Sequence, residues 1–318
     1  MSLQEFAPIV SHDAFSGPTA PKDYVAHLLA RSGSSFTLGM KMLARPRREA
    51  IFAVYAFCRV VDDIADEAGT RDEKRALLEA WKAEITALYA GRPRSLIGRA
   101  LAAPVAHFHL PEQEFLLMIK GMEADVNGPI QAPSLTDLLV YTRQVAGTVG
   151  MLAIRIFGVG NHGARDPFAL YLADAFQLTN ILRDIEEDAE IDRLYLPREI
   201  LHAHGIESTD PKVVAAHSAL VGVRRQLGAI ARGRFNEARR ALQSLEGEPV
   251  RAALIMMGVY EGYLDRMEAE GFSGPAARRS MPKWQKLVRG LHYGFAFPKR
   301  TLPAPDPAAP PLASVAAE

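Results

Sequence analysis

Hydrophobic residues recur along this chain at helical spacing, and almost no stretch alternates as a β-strand does. Helix start signals accompany the pattern. Thr70 with Glu73 is a capping-box pair ahead of a helix predicted over 70–90, and Asp166 before Pro167 predicts the N-cap of another. Three further helices are predicted over 111–122, 211–239 and 249–270. The pattern therefore predicts an all-α protein.

The same pattern divides the chain into a long helical region and two ends without a period. Residues 21–295 contain neither a linker-like stretch nor an internal repeat, which predicts one all-helical domain. Residues 1–20 mix Pro, Gly, Ser and Asp, which predicts a flexible N-terminus. Residues 296–318 are rich in Pro and Ala, which predicts a disordered tail.

Charge and composition exclude several kinds of partner and site. The 37 Lys and Arg balance 37 Asp and Glu, whereas a nucleic-acid binder usually has a basic excess, so no nucleic-acid partner is expected. The single cysteine, Cys58, excludes an intrachain disulfide and a cysteine-based zinc cluster. We find no signal-peptide pattern and no membrane-spanning run. A cytoplasmic protein is expected, with peripheral contact at the inner face of the membrane left open.

One stretch imitates a dinucleotide-binding motif. Residues 158–163 match G-x-G-x-x-G, and Asp184 lies near the spacing of the expected acidic residue. That motif needs a strand before it and a helix beginning inside it. Here the preceding run continues a helical segment from Leu135, and the next helix signal comes later. We interpret the stretch as a helix–helix loop, and no NADPH is predicted.

The first candidate site is a polar stripe on an otherwise apolar helix. Tyr55, Arg59, Asp62 and Asp66 stand at i, i+4, i+7 and i+11, which places them on one helix face. Carboxylates four residues apart repel each other and are costly to bury, so this face needs a positive partner. The helix is predicted to be buried, with its carboxylates pointing inward.

A second stripe follows the same spacing far along the chain, at Gln177, Asn180, Asp184 and Asp188. Carboxylate and amide oxygens suit Mg²⁺, which also bridges to phosphates, and neither stripe offers imidazole or thiolate for zinc. For one stripe alone, a solvated helix end or an ion pair with Arg59 or Arg183 is an equally good interpretation. Two stripes on apolar helices favour a metal site with five ligands, Asp62, Asp66, Asn180, Asp184 and Asp188.

The two stripes in this order resemble the paired motifs of the head-to-head prenyl synthases, the squalene/phytoene synthase family. The resemblance covers roughly residues 25–290 and includes SGSSF at 32–36, VAGTVG at 145–150 and RLYLP at 193–197. Terpene cyclases share the first motif and differ in the second. Within the family, the chain most resembles bacterial presqualene diphosphate synthases of hopanoid biosynthesis, and phytoene synthases are the alternative.

The resemblance implies an isoprenoid-synthase helical bundle around a central apolar cavity. It implies Mg²⁺-dependent condensation of two farnesyl diphosphates to presqualene diphosphate, with the reaction stopping at this cyclopropyl product. Downstream pathway enzymes are candidate partners. The small residues Ala146, Gly147 and Gly150 would let a prenyl chain approach the backbone. Alternatives are a phytoene synthase using two geranylgeranyl diphosphates, a chain-elongating synthase, and a non-enzymatic helical scaffold.

The resemblance also implies roles for individual side chains. Arg59 and Arg183 would bind phosphates, while Tyr55 and Tyr141 would serve the proton step or bind phosphate. The leaving diphosphate is an alternative base. Further substrate contacts are implied for Ser35, Phe36, Gln177, Arg193, Tyr195 and Tyr260. Core packing is an alternative role for the tyrosines at 141 and 260.

Overall fold

The computed structural model describes residues 20–32, 40, 42–66, 68–128, 130–161, 163–273, 281–297, 302–304, 307–308 and 310–313. Within these ranges the regular structure is helical, with one isolated parallel bridge between Gln131 and Leu194. The chain divides into two compact units, Met1–Gly128 with Met151–Val159, and Pro129–Gly150 with Gly160–Glu318. The single-domain organisation stays a prediction.

The helices of the first unit are α1 (Pro21–Ser32), α2 (Arg45–Asp66), α3 (Arg71–Tyr89), α4 (Leu96–Phe108) and α5 (Glu112–Asn127). The second unit has α6 (Leu135–Thr142), a π-helical turn (Arg143–Gly147), α8 (Arg165–Glu190), α9 (Arg198–Ala203), α10 (Pro211–Ala215), α11 (Leu220–Gln243), α12 (Arg251–Ala269) and α13 (Lys283–Phe295). Helix α7 (Thr148–Phe157) contributes residues to both units.

Helix α2 is the centre of the first unit, where it packs against α1, α3, α4 and α5. Phe57 lies fully buried at this crossing, with its ring centroid 5.6 Å from that of Trp81 and 5.2 Å from that of Phe115. The predicted capping box is confirmed, because Thr70 and Glu73 each accept a hydrogen bond from the other's backbone N–H at the start of α3. Burial of the apolar residues of α2 leaves its polar stripe accessible.

The glycine-rich stretch at 158–163 follows a helix, α7, so its interpretation as a helix–helix loop is confirmed. Gly158 has a φ of +87°, a conformation that favours glycine. A Cβ at this position would lie 2.4 Å from a guanidinium nitrogen of Arg47. That guanidinium donates a 2.5 Å hydrogen bond to the carbonyl of Phe157, so the glycine makes room for an arginine that holds the end of α7.

In the second unit, α8 packs along α11, and α12 packs along α13. The predicted start of α8 was wrong by two residues. Its N-cap is Ala164, and the Asp166 carboxylate accepts a 2.7 Å hydrogen bond from Nε of Arg165 instead of capping the helix.

The long helix predicted from Pro211 through residue 239 was also wrong, because it is interrupted. Asp210 caps α10 by accepting hydrogen bonds from the N–H groups of Lys212 and Val213. The helix then ends, since Nδ1 of His217 accepts the N–H of Ala219, and α11 begins one residue later.

The segment 296–318 stays a prediction as a disordered tail. Within its described residues, the carbonyl of Pro303 accepts a hydrogen bond from Arg240, and the carbonyl of Pro311 accepts one of 3.0 Å from Arg234. Both arginines belong to α11. None of the helices in the described ranges is both long enough and apolar enough to cross a bilayer.

An apolar cavity of about 540 Å³ opens within the first unit, among α1, α2 and α4. Its lining includes Val25, Phe52, Ala53, Ala103 and Phe108. Among the predicted site residues that the structure describes, none lines this cavity.

Candidate active site

The first polar stripe occupies the accessible face of α2. The side chains of Arg59 and Asp62 are 46% and 41% exposed, Asp66 is exposed, and Tyr55 is half-buried. These positions correct the expectation that the carboxylates point into a buried interior. The helix is buried on its apolar sides, and its charged side remains open to a soluble ligand.

The surroundings of Asp62 destabilise its ionised carboxylate. Nη1 of Arg59 lies 3.6 Å from Oδ2 of Asp62, while Nη2 lies 2.6 Å from Oδ1 of Asp63. Although its side chain keeps part of its surface, desolvation raises the pKa of Asp62 to about 7, and repulsion from Asp66 adds to the rise despite Arg59. A cation beside this face would remove that cost.

The second stripe lies on one partly exposed face of α8, between buried residues such as Ile181 and Ile185. Nε and Nη2 of Arg183 donate to the two carboxylate oxygens of Asp184 at 2.6 and 2.5 Å. The same guanidinium carbon lies 5.1 Å from the ring centroid of Tyr263. Arg183 is therefore fixed by a bidentate ion pair and by an aromatic face.

Asp188 lies one turn beyond Asp184, and its ionised form is destabilised as that of Asp62 is. Burial raises the pKa of Asp188 to about 7, and repulsion from Asp184 adds to the rise. Arg193 and Arg183 oppose the shift without cancelling it. Excess negative charge therefore remains on this face as well.

Asn180 provides the most direct test of whether a metal fits. Its Oδ1 is buried and accepts no hydrogen bond from any residue that the structure describes. Its side chain donates to Tyr260, whose pKa is raised by burial and whose ring stacks on Phe176 at 4.2 Å. A buried amide oxygen without a donor is costly, and a cation or its bound water would satisfy it. The residues on α8 therefore fit a hard cation.

Tyr141 and Tyr195 form a second polar feature in the same unit. Their rings stack with centroids 5.3 Å apart, and their hydroxyl oxygens are 3.4 Å apart. Tyr141 lies two residues before the first residue of the π-helical turn, a geometry that is frequent at functional sites. Tyr195 is held in place because the backbone of Leu194 pairs with that of Ile130 and Ala132.

The small residues after Tyr141 pack on neighbouring protein atoms. A Cβ on Gly150 would lie 3.0 Å from the carbonyl oxygen of Ala169 in α8, and one on Gly147 would lie 2.9 Å from Cδ of Arg143. In the direction of a Cβ, these two glycines therefore face Arg143 and α8. The expected approach of a prenyl chain at Gly147 and Gly150 stays a prediction.

Comparison with known proteins identifies the family. The squalene/phytoene synthase profile matches residues 29–285. The chain belongs to the squalene/phytoene synthase family.

A presqualene diphosphate synthase of Rhodopseudomonas palustris is 42% identical over 276 residues, 87% of this chain and 98% of the relative. A phytoene synthase of Thermus thermophilus is 33% identical, over 86% of this chain and 93% of the relative. A dehydrosqualene synthase crystal structure superposes with a TM-score of 0.75 at 25% identity, covering 86% and 95% of the two chains.

Membership of the squalene/phytoene synthase family confirms the predicted all-α isoprenoid-synthase fold. Ser35 and Phe36 lie outside the described residues. In the part of the chain that is described, no three His, Cys, Asp or Glu side chains are grouped to hold a metal ion by themselves. Mg²⁺ commonly takes only one or two protein carboxylates and completes its shell with water and phosphate. The predicted roles of the individual residues stay predictions.

Two residues that interact with predicted site residues were not among those predicted from the sequence. Tyr263, under Arg183, lies three residues after Tyr260 on the same helix, and this i, i+3 spacing could have indicated it. Asp125 of α5 adds negative charge that raises the pKa of Asp62. In the sequence, only the position of Asp125 in the segment GMEAD at 121–125 indicated this residue.

Proposed function

We propose that this protein is a presqualene diphosphate synthase, a prenyltransferase that joins two farnesyl diphosphates head to head and releases one diphosphate. One observation carries the proposal: two helix faces rich in oxygen ligands, each with an arginine beside its carboxylates. The relative of that name, matched over 98% of its length, supports this substrate over that of the more distant phytoene synthase.

The proposed metal ligands are Asp62 and Asp66 on α2, and Asn180, Asp184 and Asp188 on α8. Bound Mg²⁺ neutralises the charge that develops on a diphosphate leaving group. Three features of the chain support this ligand set: the raised pKa values of Asp62 and Asp188, and the unsatisfied oxygen of Asn180.

The arginines are proposed to orient the diphosphates. Arg59 is nearly half exposed and can turn from Asp63 toward a phosphate oxygen. Arg183 is less mobile, since Asp184 and Tyr263 hold it, so it would present a fixed positive charge. Gln177 and Arg193 are proposed to add hydrogen bonds to the same groups.

Aromatic side chains are proposed to protect the reacting carbons. When the allylic carbon–oxygen bond breaks, the electron pair leaves with the diphosphate, and stacked rings such as Phe176 with Tyr260 can face the cation. The double bond of the second substrate then attacks, and loss of one proton closes the cyclopropane. The hydroxyl pair of Tyr141 and Tyr195 is one acceptor for that proton, and the departed diphosphate is the other.

Product analysis tests the proposal. Purified protein is incubated with farnesyl diphosphate and Mg²⁺, and in parallel with geranylgeranyl diphosphate, and products are identified by mass spectrometry. Presqualene diphosphate is expected, with no squalene when NADPH is added. Phytoene or prephytoene diphosphate formed in preference would shift the assignment to a phytoene synthase. Absence of coupling with either substrate would refute both. A cytoplasmic location, and partners that consume the cyclopropyl product, belong to the same proposal.

A further inference from the structure

The C-terminal helix α13 carries a continuous exposed apolar surface. Five of its large hydrophobic residues are exposed, and we call them the apolar stripe: Trp284, Leu287, Val288, Leu291 and Phe295. Their spacing of i, i+3, i+4, i+7 and i+11 puts them on one side of the helix. Trp284 is 64% exposed and Phe295 is 61% exposed. Such a contiguous patch marks a binding surface.

The opposite side of α13 is anchored to α12, so the apolar stripe is held outward. Tyr293 is buried and donates a 2.6 Å hydrogen bond to Glu261, and Arg289 pairs with Asp265. A Cβ on Gly258 would lie 2.7 Å from Cγ of Tyr293, which shows how closely the two helices approach. Tyr293 and Trp284 are about half a turn apart around the helix, so the anchored side cannot be the one that binds a partner.

Charge around α13 identifies the partner chemistry. No acidic residue occurs between Glu270 and Asp306, although the whole chain is neutral. The same stretch has seven basic residues, Arg278, Arg279, Lys283, Lys286, Arg289, Lys299 and Arg300. The guanidinium carbon of Arg251 also lies 4.8 Å from the ring centroid of Phe295, at one end of the stripe.

We propose that α13 is an interfacial helix that docks this protein on an anionic lipid bilayer. The apolar stripe would enter the boundary between headgroups and acyl chains. Lys283 and the other basic residues of this stretch would contact anionic headgroups, apart from Arg289 and Lys286, which contact Asp265 and Tyr263 of α12. An amphipathic helix with aromatic and aliphatic residues on one side and basic residues beside it is the type that lies in a membrane interface. The helix lies parallel to the surface and does not span the bilayer.

Vesicle binding tests this inference with the full-length protein. Flotation is measured with vesicles of phosphatidylcholine alone and of phosphatidylcholine mixed with phosphatidylglycerol. We expect binding to the anionic vesicles, weakened by high salt. The double variant Trp284→Gln, Leu291→Gln and the single variant Lys283→Glu should each lower the partition coefficient about tenfold. The matched control Val213→Gln, at a position 50% exposed on α10, should bind normally.

Tryptophan fluorescence gives an independent readout. The chain has two tryptophans, and Trp81 is only 2% exposed, so a blue shift on adding anionic vesicles must come from Trp284. Trp284→Phe should abolish the shift while keeping flotation. Because no variant touches the acidic stripes, turnover in detergent solution should stay unchanged, which separates this inference from the proposed function.

Three results would overturn the proposal. The first is failure of the wild type to float with anionic vesicles at low salt. The second is equal loss of binding in the stripe variants and in Val213→Gln. The third is a lipid-free dimer, seen by analytical ultracentrifugation, that the stripe variants dissociate, because the stripe would then be a contact between copies of the chain.

Discussion

The acidic faces of α2 and α8 have similar carboxylate spacing, but their arginines are used differently. On α2, Arg59 is exposed and makes its short contact, 2.6 Å, with Asp63, which lies off the stripe. On α8, Arg183 closes on both oxygens of Asp184, a stripe residue, and rests against Tyr263. One arginine is therefore exposed beside the stripe carboxylates, while the other is fixed and bonded to one of them.

Similar carboxylate spacing on the two helices does not give the carboxylates the same partners or the same pKa pattern. On α2 the carboxylate with the raised pKa, Asp62, lies at 3.6 Å from its arginine. On α8, Arg183 is bonded to Asp184. The carboxylate with the raised pKa is Asp188, one turn further along the helix. Substitutions at matching positions should therefore have unequal effects.

The largest expected effect is on turnover, where both faces should behave alike. Asp62→Asn and Asp184→Asn should each lower kcat by about 10² to 10³, because each would remove charge needed to stabilise the leaving diphosphate. Diphosphate release and product mass are the measurements. Circular dichroism should show that both variants remain folded.

The controls for these two variants remove a carboxylate from the same units. Asp72→Asn on α3, where the side chain is 96% exposed, and Glu190→Gln on α8, where it is 75% exposed, should leave turnover within about twofold. If one acidic stripe tolerates the loss of its carboxylate as the controls do, its role as a metal ligand is wrong.

A smaller effect should separate the two arginines. Arg183→Lys loses a bidentate charged pair and an aromatic contact, so kcat/KM should fall about 10- to 100-fold. Arg59→Lys keeps the charge on an exposed residue and should cost less than about fivefold. Arg45→Lys, 74% exposed on α2, is the matched control. Equal losses at 59 and 183 would remove the contrast between an exposed and a fixed arginine.

The smallest effect concerns stability without metal, and here the two faces should differ in sign. The pKa of Asp62 is raised from 3.8 to about 7, so its ionisation costs stability as the pH rises through that window. At pH above this window in EDTA, Asp62→Asn should raise the free energy of unfolding by less than about 1 kcal/mol, since the site is partly exposed.

Asp184→Asn should instead lower the free energy of unfolding by about 1 kcal/mol, because Arg183 loses its charged partner. Urea denaturation of both variants and the wild type in EDTA is the measurement. Added Mg²⁺ should stabilise the wild type more than either variant. A change of the same sign in both would show that the two faces are equivalent after all.

Periodicity was sufficient for the features that depend on neighbours along one helix. It predicted the faces carrying Asp62 and Asp184, and local chemistry predicted the capping box at Thr70. It was less reliable at Asp166, which does not cap α8, and after Pro211, where the predicted helix is interrupted. There, the ion pair of Asp166 with Arg165 and the hydrogen bond to the ring of His217 decided the local backbone.

The sequence by itself determined the helical class, the two acidic faces and the family, because each is written in residues a few positions apart. Only the tertiary structure decided which partner each charge has. Tyr195 meets Tyr141 across 54 positions, and Tyr263 meets Arg183 from another helix. The same is true of α13, whose apolar stripe is exposed only because α12 takes its other side. Spacing along a helix fixes which residues share a face, whereas burial and pairing depend on what that face meets after folding.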